Sequence, residues 1–213
     1  MLSQSVEEFL DELARETPVP GAGPAAALVT AAAAALTAMA ARASLDSWAD
    51  AGGVAAQAES LRARTVRLAQ EDAEALAAVL AERSGGGGDR AEMRDFRLGR
   101  TLYRAADVPL SIVDAAADVA LLASHTAGHC AGEVRADAAA GALLAHGAAR
   151  AAAHLVEVNL TTGAGDERSK RAHGLVRAAG AAADEAARRG EFSVQREDHS
   201  FERARISVRR RAA

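Results

Sequence analysis

Cysteine is all but missing from this chain of 213 residues. Cys130 stands alone, so no intramolecular disulfide can form, and that usage fits a reducing cytoplasm. Aromatic residues make up only 3% and β-branched residues are scattered, which removes the usual material of sheets. Alanine supplies much of the apolar half of the composition and favours helices. An excess of positive charge is missing too: the net charge of −4 offers no general attraction to nucleic acid or to an acidic membrane. Residues 1–16 are acidic and amphipathic, without the basic start and apolar core of a secretory signal. No break in composition divides the chain before Gly190, so residues 1–190 are expected to form one domain and residues 191–213 a charged tail.

What is present is an uncharged, alanine-rich stretch behind a stiff turn, Thr17 to Ala43. Pro18 and Pro20 hold the approach extended, and Gly21 and Gly23 permit backbone angles or close contacts that a side chain would forbid. Pro24 suits the first position of a helix, which is expected to begin there. No residue from Pro24 to Ala41 is charged. A helix without a polar face is enclosed by other helices, so this one is expected to be the central post of a bundle. Its length approaches that of a membrane span, but alanine is only weakly apolar, and no membrane crossing is expected.

The other segments read as helices around that post. Ser5 and Glu8 fit a capping box, followed by Val6, Phe9, Leu10 and Leu13 on one face. After Gly52-Gly53 a helix is expected from Val54 to Arg83, with Leu61, Leu68, Leu76 and Leu80 toward the core and Arg62, Arg64 and Arg67 toward solvent. The run Ser84 to Asp89 is a flexible linker, lacking the Lys-Ser/Thr ending of a phosphate-binding loop. Further helices are expected over 91–106, from Pro109 onward, over 135–160 and over 166–189. The fold class is therefore all-α, a single-domain bundle of about seven helices around a buried alanine-rich helix.

The stretch PVPGAGPAAALVTAAAAALTAMAAR resembles the opening of the formiminotetrahydrofolate cyclodeaminase and methenyltetrahydrofolate cyclohydrolase family. Four later pieces recur in that family's order: AQEDAEALAAVL around Asp72, AADVPLSIVDAA around Pro109, VRADAAAGALLAHGAA around Asp137, and AAHLVEVNL around Asn159. Departures occur at Ala22 and Pro24, which replace a glycine and a serine, at His129 and His154, each in place of an asparagine, and at Ala136, in place of a serine. The resemblance implies a cytoplasmic homodimer with a folate substrate and no metal or redox cofactor. It implies conversion of 5-formiminotetrahydrofolate to 5,10-methenyltetrahydrofolate with ammonia release. The alternatives are methenyltetrahydrofolate cyclohydrolysis, or a catalytically reduced member that binds folate or a protein partner.

Carried onto this chain, the resemblance makes Asp137 the first and Asp72 the second candidate for acid/base work. Asp137 sits among small residues that leave room for a ligand, but it equally suits the charge preference of a helix N-terminus. Asp72 lies beside Glu71 and Glu74, and only the resemblance singles it out. Gly21, Ala22 and Gly23 are candidates to present backbone N–H groups to substrate, and His129, His154 and Asn159 to line the pocket. His125 and His129, four residues apart, admit a rival zinc site, although Gly128 and Gly132 interrupt the helical pattern there. The three arginines Arg209 to Arg211 suit ordinary solvated charge.

Overall fold

The structure, a computed structural model, describes residues 4–17, 19–84, 91–160 and 165–211, with the side chains of 91, 92, 94 and 191–211 outside the description. Its elements are α1 (Val6–Leu13), α2 (Ala22–Arg42), α3 (Ala51–Ser84), α4 (Ala91–Ala105), α5 (Asp107–His129), α6 (Arg135–Leu160) and α7 (Glu167–Arg211), with a 3-10 turn at Gly132–Val134. Among the described residues there is no strand. The chain is the all-helical bundle that its alanine content implies. Of the expected linker Ser84 to Asp89, Ser84 instead closes α3, and residues 85–89 lie outside the described residues.

Helix α1 starts as its sequence dictates. The Ser5 hydroxyl accepts from the Glu8 N–H at 3.2 Å while the Glu8 carboxylate accepts from the Ser5 N–H at 2.7 Å. Only Phe9 of its apolar face is buried; Val6 and Leu10 stay exposed.

Helix α2 packs against α3, α5 and α6. Its fully buried Ala27, Ala33, Ala34, Ala38, Ala40 and Ala41 let those neighbours approach closely. Thr30 and Thr37 are fully buried as well, each hydroxyl donating to a carbonyl one turn back, Ala26 and Ala33, at 2.9 Å. Helix α6 runs antiparallel to α2: Gly141 lies against the Ala33 carbonyl and the Thr37 hydroxyl, while Ala148 and Ala151 face Ala22, Ala25 and Ala26. Length and composition alone would let α2 cross a membrane, but most of it is enclosed by the bundle.

Two expectations for α2 need correction. The helix begins two residues before Pro24, because Gly21, at φ 80°, supplies a left-handed cap that only glycine adopts without strain. Pro24 then occupies the third helical position, where the missing N–H costs nothing. Nor is α2 enclosed on every side. Ala22, Ala25, Val29, Ala32, Leu36 and Met39 form an uncharged stripe that stays exposed or half-exposed.

Elsewhere the boundaries move slightly. Helix α3 starts at Ala51 and takes Gly52 and Gly53 into its first turn. Helix α5 starts at Asp107 and runs through Gly128. Helix α7 continues past Gly190 to Arg211. Leu61 and Leu68 face the core as expected, whereas Leu76 and Leu80 are half-buried.

Candidate functional site

A small, partly open chamber of about 70 Å³ lies at the N-terminal end of α2. Ala22 and Gly23 form one wall, Asp72 and Leu76 of α3 another, and Pro109 and Asn159 close it from α5 and α6. The chamber exists because α2 and α5 begin and α4 and α6 end at one level, against the middle of α3. Gly23 is the tightest point. A Cβ at that position would fall on the Asp72 carboxylate, so glycine is what allows the acid to reach the start of α2.

Asp72 is 8% exposed, and among the described residues no group donates a hydrogen bond to it. Burial without a compensating donor penalises its charged form and raises its pKa from 3.8 to about 6. Opposite it, the first turn of α2 has no side-chain cap. Gly21, Ala22 and Gly23 therefore keep N–H groups without intrahelical partners, aligned with the positive end of the helix dipole. Asn159 is held by α6, its side-chain N–H donating to the Ala105 carbonyl at 3.2 Å. An acid that titrates near neutrality, beside donors suited to an anion or a polar ring edge, can take up and return a proton.

The structure gathers part of the expected set. Ala22, Gly23, Asp72 and Asn159 line one chamber, with Gly21 capping the helix beside them. His129 and Asp137 do not join them. His129 ends α5, twenty residues beyond Pro109, and Asp137 opens α6, twenty-two before Asn159. At 1.5 Å per residue each lies about 30 Å from the chamber, at the other end of the bundle. Asp137 and His154 are both exposed on α6. Within one chain, then, the carboxylate in the chamber is Asp72. Pro109, Leu76 and Leu155 also line it and escaped the sequence-based candidate set, although each falls within one of the matching segments.

At the far end, His129 stacks on Trp48 with ring centroids 5.5 Å apart, and its Nδ1 lies 2.8 Å from the His125 carbonyl oxygen. His125 and His129 pack together, centroids 4.3 Å apart. Among the described residues, no three histidine, cysteine or acidic side chains gather as a metal site would need. Cys130 is buried, with its thiol pKa pushed up by burial.

An all-helical bundle with a buried acid at a glycine-rich helix start is the class these features define. The chain belongs to the formiminotransferase-cyclodeaminase family, whose sequence profile matches residues 5–174. In three dimensions it is similar to the crystal structure of formiminotetrahydrofolate cyclodeaminase from Thermotoga maritima, with a TM-score of 0.72 and 23% identity, covering 91% of this chain and 96% of that one. No curated protein sequence matches the chain significantly.

Proposed function

We propose that the Asp72 chamber carries out cyclodeamination of 5-formiminotetrahydrofolate, with Asp72 moving the proton. The formimino group reacts as its protonated amidinium: N10 of the folate attacks its carbon and forms the N10–C bond, while the C=N π pair moves onto the NH2 nitrogen. The N10 proton passes to the Asp72 carboxylate, leaving a tetrahedral carbon that bears the amino group. Protonated Asp72 returns that proton to the departing nitrogen. The C–N bond breaks, ammonia leaves and 5,10-methenyltetrahydrofolate remains. One carboxyl group can serve both steps if its pKa lies near working pH, and a value of about 6 meets that need. The observation that carries the proposal is the burial of the Asp72 carboxylate against Gly23, in a chamber that gives it no hydrogen-bond donor among the described residues. No step requires a redox cofactor, because carbon keeps its oxidation state throughout.

The free N–H groups at the start of α2 support orientation of the substrate, and Asn159 supplies a further polar contact. At about 70 Å³ the chamber is far smaller than a folate, so it admits the reacting carbon and nitrogens rather than the whole molecule. The protein acts as a cytoplasmic homodimer and needs no nucleic acid or membrane, in keeping with its lone cysteine and net negative charge.

The test is ultraviolet absorbance of the methenyl chromophore. With 5-formiminotetrahydrofolate the chromophore should appear together with ammonia. Accelerated loss of absorbance from 5,10-methenyltetrahydrofolate, without the first reaction, would instead establish cyclohydrolysis. No acceleration of either would leave a folate-binding member without turnover, a result the substitutions at Ala22, Pro24, His129 and His154 would then explain. Asp72→Asn should abolish turnover while keeping the fold.

A further inference from the structure

We propose that the cleft between α1 and the turn leading into α2 is a binding site for a free α-amino acid, with Arg15 holding its carboxylate and Glu12 and Gln4 its ammonium group. The site is separate from the Asp72 chamber, and occupying it requires no turnover.

The cleft has a volume of about 340 Å³, within the range of small-molecule sites. Gln4, Glu12, Arg15 and Thr17 supply its polar lining, and Val19, Pro20 and Ala73 its apolar lining. The two opposite charges stay apart. Among the described residues no ion pair joins Glu12 to Arg15, nor Arg15 to any other acid. Elsewhere in this chain the same arrangement closes. Glu59 and Arg62, Glu167 and Lys170, and Glu185 and Arg188 also set an acid three residues before a base, and each pair meets at 2.7 Å. The difference is the end of a helix. Helix α1 stops at Leu13 with Ala14 as its C-cap, so Arg15 leaves the helical path that would fold it back onto Glu12. A pair that the sequence spacing would close is held open at a cavity.

The remaining polar atoms match an amino acid. Gln4 Nε2 donates to Glu12 Oε1 at 2.7 Å, which leaves Gln4 Oε1 buried without a hydrogen-bond partner. A buried acceptor without a donor is costly, and an ammonium group in the cleft relieves it while its other N–H groups reach the Glu12 carboxylate. The Arg15 guanidinium offers a planar fork of donors that suits a carboxylate. The Thr17 hydroxyl makes only a long bond of 3.4 Å to the Val19 carbonyl and can turn to the same carboxylate.

Charge selects the class of ligand. A simple anion would meet Glu12, and a simple amine would meet Arg15, each facing a like charge. A zwitterion meets its opposite at both ends. Glu12 and Arg15 are close in the chain, so the ammonium and carboxylate must be close in the ligand, as they are on a single α-carbon; a dipeptide sets its termini a further residue apart. Val19, Pro20 and Ala73 leave an apolar wall for an aliphatic side chain, which makes L-leucine the probe. Pro20 directly precedes the Gly21 cap and Ala73 directly follows Asp72, so the cleft and the chamber are built on the same two stretches of backbone.

Calorimetric titration of the full chain with L-leucine should give a Kd of about 1 mM or tighter. 3-Methylbutylamine is leucine without its carboxylate, and 4-methylpentanoate is leucine without its ammonium group. Each should bind roughly ten- to a hundredfold more weakly, the worth of one charge-assisted contact. Arg15→Gln and Glu12→Gln should weaken L-leucine by the same factor, with circular dichroism checking that the bundle persists. A second readout needs no variant: in proton–nitrogen spectra of the wild type, L-leucine should shift the amides of Arg15, Thr17 and Val19. Absence of binding at about 10 mM, ten times the expected Kd, would overturn the proposal. So would equal binding of either half-molecule, undiminished binding by a folded Arg15→Gln variant, or shifts elsewhere with those three amides unmoved. None of these readouts uses folate, so a failed cyclodeaminase assay leaves the amino-acid site standing.

Discussion

The backbone of Gly23 lies directly against the carboxylate of Asp72, closer than any residue with a side chain would permit. The contact joins the start of α2 to the middle of α3. It fixes the acid beside the unpaired N–H groups of a helix terminus without tying it to any of them.

Gly23→Ala should therefore damage both fold and chemistry. In an ordinary helix the exchange would stabilise by about 1 kcal/mol. Here the added methyl group displaces a buried carboxylate, and overpacking of this kind costs about 1–3 kcal/mol. Adding Asp72→Ala removes the obstruction. Thermal melts should show the double variant more stable than Gly23→Ala alone, while the cyclodeaminase assay shows both inactive.

Asp72 also makes stability depend on pH with a definite sign. Its pKa in the folded chain, about 6, lies above the unfolded value near 3.8. The folded state holds the proton more tightly, so the contribution is most favourable below pH 4 and is lost as pH rises through about 6. At about 1.4 kcal/mol per pKa unit the loss approaches 3 kcal/mol. Asp72→Asn removes this titration. Denaturant midpoints of wild type and variant should converge near pH 4, with the variant gaining on wild type toward pH 7.

Much of the bundle was legible because helix ends leave local marks. The capping box at Ser5 and Glu8 and the bounds of α6 follow from residue types alone. The start of α2 did not, since a glycine at positive φ can end or begin a helix, and the proline behind it pointed two residues late. The open side of α2 was hidden for a different reason. On an alanine helix an interface and a core face have the same composition, and only packing separates them. Among the carboxylates, Asp72 stands between Glu71 and Ala73 with Glu74 close by, and nothing local says which acid turns inward. Glu71 and Glu74 are exposed and Asp72 is not. Asp137 matched the family pattern equally well, but a helix of 26 residues carries it away from Asn159.

Gly141 should prove to be the spacer between α2 and α6. A Cβ there would lie 3.1 Å from the Ala33 carbonyl oxygen and 3.3 Å from the Thr37 hydroxyl. The carbonyl belongs to the helix backbone and cannot turn aside, so α6 must move as a body. Gly141→Ala is expected to lower stability by ~1 kcal/mol, and Gly141→Val by ~3 kcal/mol, as read from urea midpoints. Because both ends of α6 carry candidate site residues, the valine variant should also lose turnover.

Arg168 should act as the latch that holds the end of α4 at the chamber. Its guanidinium donates to the Tyr103 carbonyl at 2.8 Å and to Asp107 at 2.9 Å, pairs with Asp166, and lies 3.7 Å from the centre of the Tyr103 ring. One side chain of α7 thus grips the last turn of α4 and the first of α5. Two residues past Tyr103, the Ala105 carbonyl accepts the Asn159 amide, so the latch reaches the chamber through a single turn of backbone. Helix α4 makes its other contacts mainly with α3 and leaves Met93, Phe96 and Tyr103 exposed, so little else fixes this end. Arg168 is largely covered but its partner Asp107 is open to solvent, which keeps the stability cost of Arg168→Ala to about 1–2 kcal/mol. Lysine keeps the charge but not the fork that serves a carbonyl and two carboxylates at once. Arg168→Lys should therefore recover only part of the loss. Hydrogen exchange should speed up through residues 101–105 in Arg168→Ala while α2 and α5 keep their protection. If those amides exchange at the wild-type rate, the end of α4 is held by its packing on α3 alone.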